Sequence, residues 1–217
     1  TADGRTLGLL AGSYALAQFA ATPFIGALSD RFGRRPVIAI CVSGSVLGLG
    51  LFAITLSQTW PVGAVLPLYL LFGARLIDGV SGGTAATAGA VLADITPPEK
   101  RASAFGLIGV AFGLGFIIGP FLGGQLARIA VTVPIWVATG FAVLNLVVVL
   151  TLLPETHPVS ERRLLPRKRE LNPFAQIARV IRNPAVGRLG LGFFLFFLAF
   201  NGFTAILVLY FKQRFNW

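Results

Sequence analysis

The chain has 217 residues, of which 55% are hydrophobic and only 12% are charged. Soluble globular proteins carry roughly 25% charged residues, so this composition excludes an ordinary soluble domain. The formal net charge is nevertheless +10. An apolar chain with a basic excess is typical of an integral membrane protein whose cations lie in loops, whereas nucleic-acid binding would need those cations on a soluble scaffold.

Long charge-free runs predict six membrane-spanning helices, because about 20 apolar residues in a helix cross a hydrocarbon core of ~30 Å. The third run is interrupted by two charged residues, Arg75 and Asp78. Before the fourth, Thr96 to Glu99 matches a capping box with proline in the first helical turn. The predicted spans lie near residues 7–28, 36–57, 64–93, 102–127, 132–153 and 189–211.

The distribution of lysine and arginine predicts how these helices are oriented. The loops after the first, third and fifth spans hold 13 of the 18 cations, and the positive-inside rule places such loops in the cytoplasm. The chain would then start on the opposite side, and it has no methionine and no recognisable signal peptide. We therefore expect a fragment that lacks a preceding span, with a six-helix protein whose amino terminus lies outside as the alternative.

A tight basic loop joins the first two spans and has the sequence G-A-L-S-D-R-F-G-R-R from Gly26 to Arg35. Gly33 suits a turn that needs a positive φ, and Gly26 would let another helix approach closely. A plain basic loop would not need these glycines and an acid at fixed spacings. The residues that we expect to form charge pairs at the membrane edge are Asp30, Arg31, Arg34 and Arg35.

This string resembles the signature G-x-x-x-D-[RK]-x-G-[RK]-[RK] between the second and third helices of the major facilitator superfamily. Residues 75–83, R-L-I-D-G-V-S-G-G, resemble the R-x-x-x-G motif of helix four. Residues 115–124, G-F-I-I-G-P-F-L-G-G, resemble the helix-five motif G-x-x-x-G-P-x-x-G-G, which marks the antiporter branch. Residues 153–156, L-P-E-T, resemble the usual end of helix six. Together these strings look most like bacterial proton-coupled drug exporters, including the tetracycline efflux proteins.

The resemblance covers the whole chain and implies an all-α membrane protein. It would contain six transmembrane helices, the second to the seventh, of a twelve-helix major facilitator fold that is incomplete at both ends. Residues 1–153 would form five helices of the N-terminal bundle, whose first helix is missing. Residues 154–188 would be a basic cytoplasmic linker, and residues 189–217 would hold the first helix of the C-terminal bundle.

The linker contains a predicted amphipathic helix at about residues 173–183. Asn172 can cap its start, and the pair Asn183-Pro184 would stop it. Arg179 and Arg182 fall on the polar face, and such a helix would lie on the membrane surface with its arginines at anionic headgroups. Its apolar face would consist of Phe174, Ile177, Ala178 and Ile181.

The glycines of the helix-five motif predict a smooth helical face. Gly115, Gly119 and Gly123 fall four residues apart, and Gly124 follows directly, so a neighbouring helix could pack closely. Pro120 removes a backbone hydrogen bond and favours a kink. The resemblance implies a pivot or a leak-tight seal here, with simple helix packing as the alternative.

Arg75 is the most informative residue inside a span. A cation at the bilayer centre costs roughly 2.5–3.5 kcal/mol on insertion scales, so Arg75 should face a wet cavity or a partner. It precedes Asp94 by 19 residues, or about 28 Å of helix, which predicts a place in the outer half of the membrane. Asp78 shares its face. One interpretation is a self-neutralising pair that lets the helix insert. The other is a proton-coupling pair, because the resemblance implies an arginine that modulates a proton-carrying acid. The family motif, however, does not ask for an acid at Asp78.

Two polar stripes are candidates for the substrate. Tyr14, Gln18 and Thr22 are spaced by four on the first span, and Asn201 and Thr204 form a smaller stripe on the sixth. We expect both stripes to face a central cavity. Interhelical hydrogen bonding is an equally open alternative.

By resemblance, Asp94 and Arg101 join Asp30 and Arg34 in a charge network that latches the cytoplasmic side. Anchoring to helix dipoles and lipid phosphates is the alternative. His157 stands alone in a polar loop, and we expect it to be solvated rather than to bind a ligand.

The resemblance implies proton-driven export of a small amphipathic compound, drug or antibiotic-like, by alternating access. No cofactor is expected, because the proton gradient would supply the energy; the partners would be substrate, protons and membrane lipids, without nucleic acid. We find no nucleophile paired with a base, no metal cluster and no phosphate loop in the sequence, so nothing in it indicates an enzyme. The single cysteine, Cys41, should pack in an apolar run. We expect a bacterial inner-membrane protein that is monomeric at full length.

Other functions stay open. A metabolite symporter or uniporter of the same fold is the nearest alternative, although the helix-five string argues against it. A non-transporting scaffold or receptor-like half transporter is an alternative from another class, and a membrane-embedded enzyme would need a catalytic constellation outside this sequence. We expect the 217 residues alone not to transport, because half of the cavity wall would be missing.

Overall fold

The computed structural model describes residues 4–162 and 171–215, and the chain divides into two compact units between Arg167 and Lys168. Each unit is described by itself below. Several of our expectations lie outside the described residues: the linker cations Arg163, Arg167, Lys168 and Arg169, and the outward position of the two ends, Thr1 and Trp217.

The described residues are helical almost throughout, and no strand occurs among them. The first unit contains α1 (Gly4–Phe32), α2 (Arg34–Ser57), α3 (Leu66–Ser81), α4 (Thr84–Ile95), α5 (Arg101–Ala127) and α6 (Val133–Thr151), and the second unit contains α7 (Pro173–Arg182) and α8 (Pro184–Phe215). Short 3₁₀ turns lie at Pro98–Lys100 and Val159–Glu161. Six stretches are long and apolar enough to cross a membrane, so the predicted all-α membrane architecture is confirmed.

The third span is two helices rather than the single one that the sequence predicted. Gly82 and Gly83 separate α3 from α4, and their ψ angles of 1° and 0° depart from the helical value of about −42°. Side chains of α1 fill the space that two larger residues would need. A Cβ on Gly82 would lie 2.6 Å from Nε2 of Gln18, and one on Gly83 would lie 2.6 Å from Cδ1 of Ile25. The break therefore lets α1 approach the backbone of the third span.

The helix α3 packs between α1 and α2 through glycines. A Cβ on Gly48 of α2 would lie 2.8 Å from Cβ of Asp78, and a Cβ on Gly79 of α3 would lie 2.6 Å from the carbonyl oxygen of Tyr14 in α1. Such distances are too short for any larger residue, so close helix contact depends on these two positions. The charged segment of α3 is consequently held on two sides.

The expected close contact at Gly26 is not present. An ideal Cβ on Gly26 would meet nothing within 4 Å among the described residues. Ile25 makes the contact with the third span instead, and successive residues of a helix point about 100° apart. Among the described residues, no neighbour packs directly against the Cβ position of Gly26.

The glycine face of α5 is also open. Ideal Cβ atoms on Gly115, Gly119, Gly123 and Gly124 would meet nothing within 4 Å among the described residues. Pro120 lies inside α5, which continues through it as one helix from Arg101 to Ala127. Close packing on this face, and the pivot or seal that the motif implies, stay predictions.

The predicted capping box at Thr96 is wrong. Thr96 is extended, with φ −111° and ψ 124°, and the short turn at Pro98–Lys100 has no side-chain cap. An N-cap residue is itself usually extended, so the difference lies elsewhere: the short turn has Pro97 as its N-cap residue, and α5 begins only at Arg101. The Thr96 carbonyl instead accepts a hydrogen bond from Nε of Arg101 at 3.3 Å.

Small apolar clusters hold the first unit together. Ile38 and Val42 of α2 contact Val91 of α4 and Val149 of α6. Cys41 is 5% exposed and packs with Ile25 and Val37, as expected for an apolar packing residue. These clusters, together with the glycine contacts to α3, place α2 beside α1, α3, α4 and α6.

In the second unit, α7 has the termini that its sequence indicates. The side-chain oxygen of Asn172 accepts a hydrogen bond from the backbone N–H of Phe174 at 2.9 Å, and Asn183 follows the last helical residue. The chain then turns tightly into α8, since a Cβ on Gly187 would lie 3.0 Å from the carbonyl oxygen of Ile181. The assignment of this unit to a second bundle stays a prediction.

Candidate functional site

Arg34, the first residue of α2, pairs with carboxylates from two other helices. Its side chain is only 9% exposed. Nη1 donates to the Asp30 carboxylate of α1 and, at 2.7 Å, to the buried Ser29 hydroxyl. Nε donates to Oδ2 of Asp94, in α4, at 3.1 Å. The structure thus brings Asp30, Arg34 and Asp94 together at one end of the helices.

A fourth group, Glu155, completes this arrangement from the segment after α6. Its carboxylate accepts hydrogen bonds from the backbone N–H groups of Arg34 at 2.9 Å and Arg35 at 3.3 Å. Those N–H groups begin a helix and have no partner within it, and an anion is favourable at that end of the helix dipole. We call Asp30, Arg34, Asp94 and Glu155 the charge cluster.

Gly33 is what allows Glu155 to reach the start of α2. Its φ of 105° and ψ of 157° fall in a region that is essentially restricted to glycine. The positive φ that the loop sequence indicated is therefore present. A Cβ at this position would also lie 2.8 Å from Cδ of Glu155 and 2.9 Å from Nη2 of Arg162.

The electrostatic surroundings of Glu155 favour its charged form. Partial burial alone would raise the pKa of the Glu155 carboxyl, but the N–H groups of His157, Arg34 and Arg35 and the Arg162 guanidinium together hold that pKa below its ordinary value. The side chain is therefore a carboxylate at neutral pH. It accepts from His157 N–H at 3.0 Å as well.

The other basic residues of the predicted network lie outside the charge cluster. The guanidinium of Arg101 donates to the carbonyl oxygens of Ala93 at 3.1 Å and Thr96 at 3.3 Å, which are orphan acceptors at the end of α4. Arg31 lies over the ring of Phe32, with Cζ 5.2 Å from the ring centroid. The Arg35 guanidinium donates to the carbonyl oxygen of Leu150, near the end of α6. Arg101 therefore caps a helix rather than pairing with an acid.

His157 is not the solvated side chain that we expected. It is half-buried, and its Nε2 is shielded from solvent without a hydrogen-bond partner among the described residues. Arg162 has a shielded Nε of the same kind. Both belong to the segment that folds back onto the α1–α2 loop, and this return explains their burial.

The second charged site lies inside the third span. Nη1 of Arg75 is 3.6 Å from Oδ2 of Asp78, and the two side chains are 25% and 14% exposed. Cζ of Arg75 lies 4.2 Å from the centroid of the Phe52 ring in α2. We call Arg75 and Asp78 the intramembrane pair. The structure confirms that these two side chains share one helix face, and it adds an aromatic partner.

The first polar stripe is used within the protein. Gln18 donates from Nε2 to the carbonyl oxygen of Gly82 at 2.9 Å. This contact is the interhelical hydrogen bonding that we gave as the alternative to a cavity-facing role. The Thr22 hydroxyl donates to the carbonyl oxygen of Gln18 at 2.6 Å. Tyr14 is half-buried and lies in electrostatic range of the intramembrane pair. Of this stripe, Gln18 contacts the break in the third span.

The second stripe makes hydrogen bonds within α8. Asn201 donates to the carbonyl oxygen of Phe197 at 2.8 Å, and the Thr204 hydroxyl lies 3.0 Å from the carbonyl oxygens of both Phe200 and Asn201. Asn201 is exposed and Thr204 is half-buried in the described part of this unit. Their contact with substrate stays a prediction.

Sequence reasoning missed three residues of these sites. Ser29 and Glu155 both belong to motifs on which the family resemblance rests, but the sequence analysis did not predict that they contact Arg34. Phe52 had a weaker signal. It follows Gly48 by four residues, and this spacing puts both on the face of α2 that meets α3.

These features define a class of protein. Six described stretches are suited to spanning a membrane, and in the first unit a charge cluster lies at one end of the helices and an ion pair lies inside a span. No group of metal-ligating side chains occurs among the described residues. Intramembrane ionisable residues generally mark ion or substrate pathways. Fold and site together are those of an integral membrane transport protein.

Comparison with known proteins gives the family. The family model described as Major Facilitator Superfamily matches residues 1–217, so the chain belongs to that superfamily of transporters and is not an enzyme. It is 38% identical to the class C tetracycline resistance protein of Escherichia coli over 97% of this chain and 50% of that protein. The class E protein of the same species is 34% identical, over 97% and 49%.

A eukaryotic relative is also similar. Human major facilitator superfamily domain-containing protein 10 is 31% identical over 96% of this chain and 47% of that protein. The crystal structure of the human organic anion transporter MFSD10 (TETRAN) aligns with a TM-score of 0.75 at 31% identity, covering 97% of this chain and 50% of that one. The chain thus spans about half the length of the curated relatives that it matches.

Proposed function

We propose that this chain works within a proton-driven exporter of a small amphipathic compound, which moves its substrate by alternating access. The names of the bacterial relatives, which are tetracycline resistance proteins, support export of an antibiotic-like compound. The resemblance of the α5 motif to the antiporter branch supports exchange for protons. A proton gradient would supply the energy without a cofactor.

The observation that carries the proposal is the intramembrane pair. Asp78 is 14% exposed and its recorded ion-pair partner is Arg75, at 3.6 Å. A carboxylate with little access to water is costly unless a cation pairs with it or a proton neutralises it. Asp78 would therefore carry the transported proton, and Arg75 would control when that proton binds and leaves.

The charge cluster would serve a different step. In alternating access, two bundles rock against each other around a site near the middle of the membrane. Asp30, Arg34, Asp94 and Glu155 tie the ends of α1, α2 and α4 to the segment after α6. The cluster would stabilise one facing state, and the resemblance adds Gly26, Arg31, Arg35 and Arg101 around it.

Substrate would contact the polar stripes on α1 and α8. Gln18 bonds to the Gly82 carbonyl at the break in the third span, the Tyr14 backbone lies against Gly79, and Thr22 bonds to the Gln18 carbonyl on the same helix. In this proposal Gln18 leaves the Gly82 carbonyl when substrate binds, and Asn201 and Thr204 add contacts from the second bundle. The glycine face of α5 would pack against that bundle.

The membrane setting completes the proposal. The protein would lie in the bacterial inner membrane as a monomer, with the loops after the first, third and fifth spans in the cytoplasm. The helix α7 would lie against anionic headgroups, because Arg179 and Arg182 occupy the turn that leads into α8. Thiol labelling of single cysteines at exposed loop positions, in a Cys41→Ser background, tests this orientation.

The test of function uses the full-length protein in proteoliposomes with an imposed proton gradient. We expect tetracycline to exchange against protons, and Asp78→Asn to abolish accumulation driven by the gradient while leaving downhill movement measurable. The matched control is Glu99→Gln, which neutralises an exposed acid outside the spans. Unchanged coupling in Asp78→Asn would contradict the role of the intramembrane pair.

A second candidate is transport of an organic anion. The solved structure that this chain resembles is described as an organic anion transporter, and Arg75 is a cation inside a span that could attract an anionic group. In the same vesicles, competition of tetracycline transport by a small aromatic carboxylate would favour this function. Uptake in the same direction as the proton flow would instead favour a symporter.

A further inference from the structure

The Arg75 guanidinium lies between two partners of different kinds. On its own helix the Asp78 carboxylate is 3.6 Å away, and from α2 the ring of Phe52 faces it at 4.2 Å from Cζ to the ring centroid. A charge-assisted hydrogen bond between such groups would be about 2.7–2.9 Å long. Cation–π contacts are effective within about 6 Å. The aromatic contact is therefore well formed, and the ion pair is loose.

The packing of α2 fixes this aromatic partner. Gly48 lies one turn before Phe52 and is buried against α3, where a Cβ would come within 2.9 Å of the Ala74 carbonyl oxygen. The backbones of α2 and α3 are thus close, and the half-buried Phe52 ring lies on the face of α2 that meets α3. The Phe52 side chain is short and has few rotatable bonds, whereas the Arg75 side chain is long and flexible.

Few other charges face the intramembrane pair. From α1 the titratable side chain in range is that of Tyr14, and from α2 the facing residues Gly48 and Phe52 carry no charge. Among the described residues, Arg75 and Asp78 form the ion pair that lies inside a span. The charged group that faces Asp78 is therefore the Arg75 guanidinium.

We propose that Phe52 is a positioning residue that keeps Arg75 beside Asp78 while Asp78 carries its proton. Protonation removes the charge that holds the ion pair together, but the attraction of the guanidinium for the aromatic face does not depend on that proton. Arg75 thus stays in place and favours release of the proton when the site next opens. This inference rests on the proposed function, in which Asp78 is the proton carrier.

A purely structural role makes a different prediction. If the Phe52 ring only fills space between α2 and α3, then its size matters and its electron distribution does not. Stepwise fluorination of the ring separates the two, because each fluorine weakens the negative face of the ring with little change in size. Phe52→Leu removes the face altogether and serves as the end point of the series.

The experiment measures proton-driven transport by the full-length protein as a function of pH, with mono-, di- and trifluorophenylalanine at position 52. We expect the proton concentration for half-maximal transport to fall stepwise, by about 2- to 30-fold across the series. A freed Arg75 stabilises the Asp78 carboxylate less, so the proton binds at a lower concentration. Phe52→Tyr, which keeps an aromatic face, should behave like the natural protein. The same fluorinated residues at Phe141, an exposed ring of α6, form the matched control and should leave the profile unchanged.

The outcomes separate this inference from the proposed function. If Asp78→Asn abolishes coupling but the fluorinated series gives one common pH profile, then the role of Phe52 is overturned and the function stands. A rise in the half-maximal proton concentration would also overturn it, since Arg75 would then pair better without the ring. If Asp78→Asn leaves coupling intact, both fall together. The fluorinated rings are nearly isosteric, so the series remains decisive even if Phe52→Leu does not fold.

Discussion

Two arginine–aspartate contacts in this chain lie in contrasting surroundings. Arg34 holds two aspartates and a serine hydroxyl at the end of its helices, and its own backbone N–H is capped by Glu155. Arg75 has one carboxylate at 3.6 Å and one aromatic ring. The first arginine is fixed from several directions, and the second is held loosely.

The difference teaches what each contact is suited to do. Removing any one partner from a charge network destabilises it, because the removal leaves another charge uncompensated. Such a network therefore stabilises a state and opens only as a whole. A single loose pair inside an apolar span can gain or lose a proton with a small movement. The charge cluster is suited to a latch, and the intramembrane pair is suited to coupling.

The largest expected effect comes from breaking each contact at its arginine. Arg34→Ala should lower the free energy of unfolding by about 3 kcal/mol, because Asp30 and Asp94 then face each other without a cation. Arg75→Ala should lower the free energy of unfolding by less than about 2 kcal/mol, since Asp78 can become neutral by taking up a proton. Thermal unfolding of both variants in one detergent measures the difference.

Arg34→Lys is the control for the first variant. It keeps the charge but loses the planar fork that contacts Asp30 and Asp94 at once. An intermediate loss of stability is expected. Equal losses for Arg34→Ala and Arg75→Ala would contradict the comparison and would mean that the charge cluster is no better anchored than the intramembrane pair.

A smaller effect is expected from Gly33, whose backbone shapes the charge cluster. Gly33→Ala should lower the free energy of unfolding by roughly 1–3 kcal/mol, because φ of 105° is strained for alanine. The added methyl group would also press on Glu155. Gly26→Ala is the matched control from the same sequence motif. Gly26 lies inside α1 and its Cβ would meet nothing within 4 Å, so this change should be neutral or slightly stabilising.

The double variant Gly33→Ala/Glu155→Ala separates the two causes. If backbone strain dominates, removing the Glu155 side chain recovers none of the loss. If the contact dominates, part of the loss is recovered. Gly33→Ala should leave the pH profile of transport unchanged, and a shift of that profile would show that the charge cluster and the intramembrane pair are not independent.

Much of the fold followed from the sequence because its strongest signals are local. Charge-free runs predicted the spans, and the loop string predicted the meeting of Asp30 with Arg34, which lie four residues apart on either side of the turn at Gly33. The contact between Glu155 and Arg34 joins residues 121 positions apart, so no local period reveals it. The break at Gly82 depends on Gln18 and Ile25 of another helix, and helix contacts of this kind are visible only in three dimensions.

The smallest expected effect tests the outer edge of the charge cluster through pH. Glu155 has a lowered pKa in the folded protein, so its contribution to stability is present above the unfolded value of about 4.3 and is lost as pH falls through the lowered folded value. Because the side chain is exposed and screened by solvent, Glu155→Gln should cost less than about 1 kcal/mol at neutral pH. The gap in unfolding temperature between the natural protein and this variant should close on acidification. With Glu99→Gln as the control, a gap that stayed constant with pH would mean that hydrogen bonding, rather than charge, fastens Glu155 to the start of α2.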